Sequence, residues 1–181
     1  MRCFVALDLP DGLRRELVAL QRGLQAGRPV EEDNLHLTLA FLGDIPEIQA
    51  RDVAEALGEV DMPPVPLTLA GVDVPGGKTP NLIWIGAEAS EALVRLHMKV
   101  ETAVRGAGVT LERRRFRPHV TLARFGATLS TRDQRAIGEF LALNGAVRYA
   151  PEEADCVTLY QSHLRSDGPL YLPLAETHLT G

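Results

Sequence analysis

Two stretches decide how this chain is read: NLHLTLAFLG at 34–43 and RPHVTLAR at 117–124. Each sets a histidine and a threonine, two residues apart, into an otherwise apolar run: His36 and Thr38 in the first, His119 and Thr121 in the second. Valine or isoleucine would be easier to bury at all four positions. In an extended strand, residues i and i+2 point to the same face. Each stretch therefore aims an imidazole and a hydroxyl in one direction while its apolar neighbours bury the strand. If the two strands lie across a cleft, two histidines and two threonines converge on one small volume. Arg124, five residues past His119, falls on the opposite face of an ideal strand. It is expected at the strand's end, reaching back around the rim.

The rest of the chain supplies a frame for such strands. Residues 2–9 read as a central strand, apolar on both faces. A helix from Pro10 and Asp11 carries Leu13, Leu17, Leu20 and Leu24 on one stripe and ends at Gly27 and Pro29. Strand 35–42 is followed by a helix near 46–60, with Ile48, Val53, Leu57 and Val60 inward. Strands at 66–73 and 81–87 flank an exposed hairpin loop, PGGKTPN. A helix near 89–107 presents Leu93, Leu96, Val100 and Val104. Strand 118–125 comes next, then a helix to about 143 opened by the capping pair Ser130 and Asp133 and ended at Asn144-Gly145. Strands near 152–160 and 169–175 flank the turn SDGP. The order β-α-β-α-β-β-α-β-α-β-β argues an α+β fold with mixed or antiparallel sheets. The pattern helix, H-x-T strand, helix, strand pair occurs twice, as in two similar lobes about a pseudo-twofold axis. DMPPVP (61–66) is too short to separate domains, so residues 1–181 read as one domain.

The 181 residues carry a net charge of −5, which excludes bulk electrostatic coating of nucleic acid. One stretch runs against that average: ERRRFRPHVTLAR (112–124) holds Arg113, Arg114, Arg115, Arg117 and Arg124 against Glu112. Such a cluster in an acidic protein suits a small, multiply anionic ligand or a nucleic-acid end; a solvated arginine face is the bland alternative. Two cysteines, Cys3 and Cys156, are too few to predict a disulfide framework or a cysteine-based zinc site. No run is apolar enough for a membrane span, and the opening MRCFVALDLP lacks a signal-peptide layout. A cytoplasmic location, without membrane association, is the default expectation.

Two histidines and two threonines on facing strands have a chemistry. Phosphodiester cleavage needs one group to activate the attacking oxygen and another to protonate the departing one. Two imidazoles titrating near neutrality hold those opposite states together. Two hydroxyls and an arginine hold the non-bridging phosphate oxygens as charge builds. Neither a metal nor another cofactor is required, and no carboxylate-rich cluster of a two-metal nuclease adjoins either motif. A third H-x-T, His178-Leu179-Thr180, ends the chain, where no element follows; it reads as coincidence. His97 reads as structural or exposed, His163 as a residue near the closing turn with a ligand contact as its minor alternative, and Trp84 as core.

MRCFVALDLP, NLHLTLAFLG, RRFRPHVTLAR and LYQSHLRSDGPLYLPLAE together resemble the RNA 2′,3′-cyclic phosphodiesterase and 2′-5′ RNA ligase family of the two-histidine phosphoesterase superfamily (LigT-like), over nearly the whole chain. The resemblance implies a bilobed fold with both motif strands facing a central cleft and the helices outside. It implies opening of RNA 2′,3′-cyclic phosphates to a terminal 2′-phosphate, with His36 as the proton donor to O3′ and His119 as the proton acceptor from water. Thr38, Thr121 and Arg124 would bind phosphate, and Arg117 is a candidate RNA contact. RNA ends, including tRNA fragments, are the implied partners, a nucleotide is a candidate ligand, and a monomer is expected. Two stretches depart from the family: RPVEEDN before the first motif, where an aromatic and a basic residue are common, and the tail THLTG, where relatives run apolar. Two other functions stay open: 2′-5′ joining of RNA ends by the same residues, and a non-catalytic module that binds RNA ends.

Overall fold

The computed structural model describes residues 1–76, 80–165 and 168–181. The tips of the two expected turns, PGGKTPN and SDGP, lie outside the described residues. In chain order the elements are β1 (Arg2–Asp8), α1 (Asp11–Gln21), β2 (Arg28–Pro29), β3 (His36–Asp44), α2 (Glu47–Gly58), β4 (Val65–Leu67), β5 (Leu69–Asp73), β6 (Leu82–Ala87), α3 (Glu91–Gly106), β7 (His119–Arg124), α4 (Thr131–Asn144), β8 (Glu152–Ala154), β9 (Cys156–Arg165) and β10 (Gly168–His178). Seven strands form one sheet in the order β10-β9-β1-β3-β7-β6-β5, with β2 as an eighth paired to β7. The mixed sheets allowed by the sequence are not found: every pairing among the described strands is antiparallel, and the two halves share this sheet.

The halves meet at β3 and β7, which share a single register pair, Leu37 with Val120. One face of both strands is a core face: Leu37, Leu39, Val120 and Leu122 are buried. α3 packs on β3 and α1 on β7.

Several expectations are corrected. The strand at 66–73 breaks at Thr68: β4 turns aside to pair with β8, while β5 pairs with β6. The closing strand breaks at Asp155 in the same way. Helix α1 stops at Gln21, before Gly27, and the Gln21 side chain turns to the sheet. Ile48 is exposed on α2, whose buried residues are Ala50, Val53 and Leu57. The Ser130–Asp133 capping box is present on α4, and Leu93, Leu96, Val100 and Val104 are fully buried on α3. The tail is not loose: Leu179 is buried, its N–H donates to the Asp155 carbonyl at 2.7 Å, and Gly181 N–H donates to the Met62 carbonyl at 3.2 Å.

Candidate active site

Both motif strands carry the same irregularity. Along β3, partners on β1 run from Ala6 with Thr38 to Val5 with Ala40, so Leu39 is an extra residue. Along β7, partners on β6 run from Trp84 with Thr121 to Ile83 with Ala123, so Leu122 is the extra one. A bulge inserts one residue and reverses the facing of everything after it. This explains why the pairs Leu39-Ala40 and Leu122-Ala123 are both buried, and why the next residues, Phe41 and Arg124, emerge on the histidine face. The expectation that Arg124 lies on the wrong face is thereby corrected. The carbonyl of the extra Leu122 accepts Val30 N–H at 2.9 Å and Gln21 Nε2 at 2.7 Å; Gln21 Nε2 also lies 2.8 Å from the Val30 carbonyl.

The two imidazoles are held alike. His36 Nδ1 lies 2.7 Å from the Asn34 carbonyl, and His119 Nδ1 lies 2.7 Å from the Arg117 carbonyl. A carbonyl only accepts, so Nδ1 carries the hydrogen in each ring and Nε2 is left for proton transfer. His36 Nε2 is 3.0 Å from Thr38 Oγ1 on the same strand face. Thr38 and Thr121 are partly exposed, and Arg124 is exposed at the end of β7. Arg117, also exposed, contributes its carbonyl to the site.

The surroundings of the two rings differ. His36 sits among Phe4, Tyr171 and Tyr160, at ring-centroid distances of 4.8, 5.3 and 6.4 Å. Burial pushes its pKa below the ordinary 6.5; the Asn34 carbonyl and Asp8 carboxylate oppose that shift, while Arg124 and His119 add to it. Asp8, the β1 register partner of His36, accepts from Thr158 Oγ1 at 2.6 Å and Tyr160 OH at 2.8 Å. His119 packs against Trp84, with ring centroids 4.3 Å apart. Trp84 therefore belongs to the site and not to the core. The signal was present in LIWI, where Ile83 and Ile85 are buried and Trp84 must take the other face.

Other residues fall elsewhere. His97 stacks on Phe116 at 3.8 Å and its Nδ1–H donates to the Leu39 carbonyl, a structural role. His163 is exposed on β9. Arg113 to Arg115 are exposed, with Arg114 paired to Glu112. Among the described residues no helix is long and apolar enough to cross a membrane.

The chain is similar to known proteins in sequence and in fold. The sequence profile of the 2′-5′ RNA ligase superfamily matches residues 9–163. The RNA 2′,3′-cyclic phosphodiesterase of Aquifex aeolicus (strain VF5) is 33% identical over 160 residues, covering 86% of this chain and 83% of that protein. The protein of the same name from Archaeoglobus fulgidus is 29% identical over 178 residues, covering 96% and 98%. A crystal structure from Thermus thermophilus superposes with a TM-score of 0.81 at 29% identity, covering 100% of this chain and 99% of that one. Apo LigT of E. coli superposes with a TM-score of 0.73 at 27% identity, covering 99% and 98%. LigT has also been crystallised with 3′-AMP. With a matching profile over most of its length, the chain belongs to the 2′-5′ RNA ligase superfamily.

Proposed function

We propose that this chain hydrolyses RNA 2′,3′-cyclic phosphate ends to a terminal 2′-phosphate and a free 3′-hydroxyl, using His36 and His119 and no metal. The observation that carries the reading is the matched pair of imidazoles, each with Nδ1–H held by the carbonyl two residues earlier. Water attacks phosphorus as His119 Nε2 takes its proton. The P–O3′ bond breaks, and the proton on His36 Nε2 passes to O3′. Thr38, Thr121 and Arg124 donate hydrogen bonds to the non-bridging oxygens, whose charge rises in the transition state. Burial favours the neutral form of His36, whereas an acid must be protonated. The bound phosphate anion resolves this by drawing the proton onto the ring beside it.

In this reading the 181 residues work as one domain, as a cytoplasmic monomer whose substrates are cleaved RNAs, tRNA fragments among them. Support for a nucleotide ligand comes from the 3′-AMP complex of LigT. In joining of RNA 2′-5′ ends a 5′-hydroxyl would take the place of water, with the same P–O3′ bond breaking, and the superfamily's name keeps it as the second reading.

The test is turnover of an oligonucleotide ending in a 2′,3′-cyclic phosphate, with a chelator present. We expect wild type to be unaffected by the chelator, and His36→Ala and His119→Ala each to lose roughly 10²–10⁴-fold in kcat with the fold retained. Turnover surviving in either variant at the wild-type rate rejects the reading. Joined product from cleaved RNA halves, in excess of hydrolysis, favours the second.

A further inference from the structure

The third H-x-T, His178-Leu179-Thr180, is left unused by the paired motif strands, yet it does not hang free. Antiparallel pairing of β9 and β10 sets His178 opposite Cys156 and Glu176 opposite Thr158. Strand alternation then puts Cys156, Glu176 and His178 on one face, and their ligating atoms all lie within 4.8 Å of one another. The backbone beneath them is fixed by the ladder and by the Leu179 N–H to Asp155 carbonyl bond of 2.7 Å. Charge around the thiol is one-sided. Burial raises Cys156 to about 11, and the Asp8 and Glu176 carboxylates push in the same direction against a hydrogen bond from Thr158. The thiol thus has the Asp8 and Glu176 carboxylates as neighbours, and a cation would neutralise their field.

We propose that Cys156, Glu176 and His178 bind one zinc ion, with solvent as the fourth ligand, fastening β10 to β9. Thiolate, imidazole and carboxylate form a borderline-soft donor set that suits zinc, whereas magnesium and calcium take oxygen ligands. Ordinary zinc bond lengths place sulfur and nitrogen about 3.6 Å apart, a closure within reach of the exposed Glu176 and His178 side chains. Binding releases the thiol proton, so affinity rises with pH. Asp8 stands between this cluster and the catalytic candidates: it neighbours the thiol on one side and pairs with His36 on the other. In this proposal the ion fastens the strands, and the phosphate chemistry stays with His36 and His119.

The test is a titration of the full chain, stripped by a chelator, with cobalt(II) and then with zinc in competition. We expect one equivalent of cobalt with the absorption of a sulfur-to-metal charge transfer, absent in Cys156→Ser. His178→Ala should loosen zinc by at least about tenfold, since even indirect supports of a metal site are worth that much. This exposed change also serves if Cys156→Ser fails to fold. Zinc should raise the Tm of wild type and leave that of His178→Ala unmoved, and the His36→Ala/His119→Ala double variant should still take one equivalent. Absence of the charge-transfer band in wild type overturns the proposal, as does its survival in Cys156→Ser. Binding that follows the His36 and His119 changes instead, or that ignores every change, overturns it too.

Discussion

Trp84 lies against His119, with ring centroids 4.3 Å apart and planes inclined at 43°. In the proposed mechanism positive charge develops on the His119 ring as water gives up its proton, and an aromatic face stabilises a neighbouring cation. We expect Trp84→Leu to lower kcat about fivefold, the equivalent of ~1 kcal/mol of cation–π stabilisation. KM should change little. A kcat equal to wild type, measured with the cyclic phosphate substrate, would show the contact to be packing alone.

Asp8 is the charge that opposes burial at His36. With His36 as the acid, the alkaline limb of kcat/KM reports its pKa in the free enzyme, below 6.5. Bound phosphate raises that pKa, so the alkaline limb of kcat should lie at higher pH than that of kcat/KM. Asp8→Asn keeps the shape of the side chain and removes the charge; it should move the kcat/KM limb to still lower pH. An unmoved limb would dissociate Asp8 from the acid.

Stability carries the same signature. Because folding lowers the His36 pKa from 6.5, the unfolded chain binds the proton more tightly. Between the folded value and 6.5 stability therefore rises with pH, and the gain is complete above 6.5. His36→Asn should flatten the Tm against pH curve across that window. An identical slope in the variant would show that other groups set it.

Gln21 braces the bulge that turns Arg124 to the histidine face, through its amide at 2.7 Å from the Leu122 carbonyl. Gln21→Leu takes one donor from the Val30 carbonyl and one from the Leu122 carbonyl, while the backbone pairing of β2 with β7 remains. We expect a loss of about 1–3 kcal/mol in unfolding free energy and a rise in KM as Arg124 loses its place. Denaturant unfolding together with steady-state kinetics reads both. A stability loss with KM unchanged would confine Gln21 to folding.

The sequence showed the parts of this site better than their arrangement. Helices α2, α3 and α4 follow from apolar spacing and caps such as Ser130 with Asp133, which are local signals. His36 and His119 stood out because a ring in a buried run needs a reason. The Leu39 and Leu122 bulges were hidden, since an extra residue in a strand shows only against its neighbour; hence the misplaced face of Arg124. Neighbours supplied by distant strands, such as Asp8, Tyr160 and Tyr171 around His36, depend on register across β1, β9 and β10. The same is true of Cys156 opposite His178. Single-strand periodicity carries no information about such pairs.

The central claim is that two histidines open a cyclic phosphate at its O3′ side. Product analysis tests it most directly: an oligonucleotide ending in a 2′,3′-cyclic phosphate is incubated with wild type, His36→Ala and His119→Ala, and the terminal phosphate is located. A 2′-phosphate from wild type, and unreacted substrate from both variants, is the predicted result. A 3′-phosphate from wild type, or a 2′-phosphate formed at the wild-type rate by either variant, would contradict it.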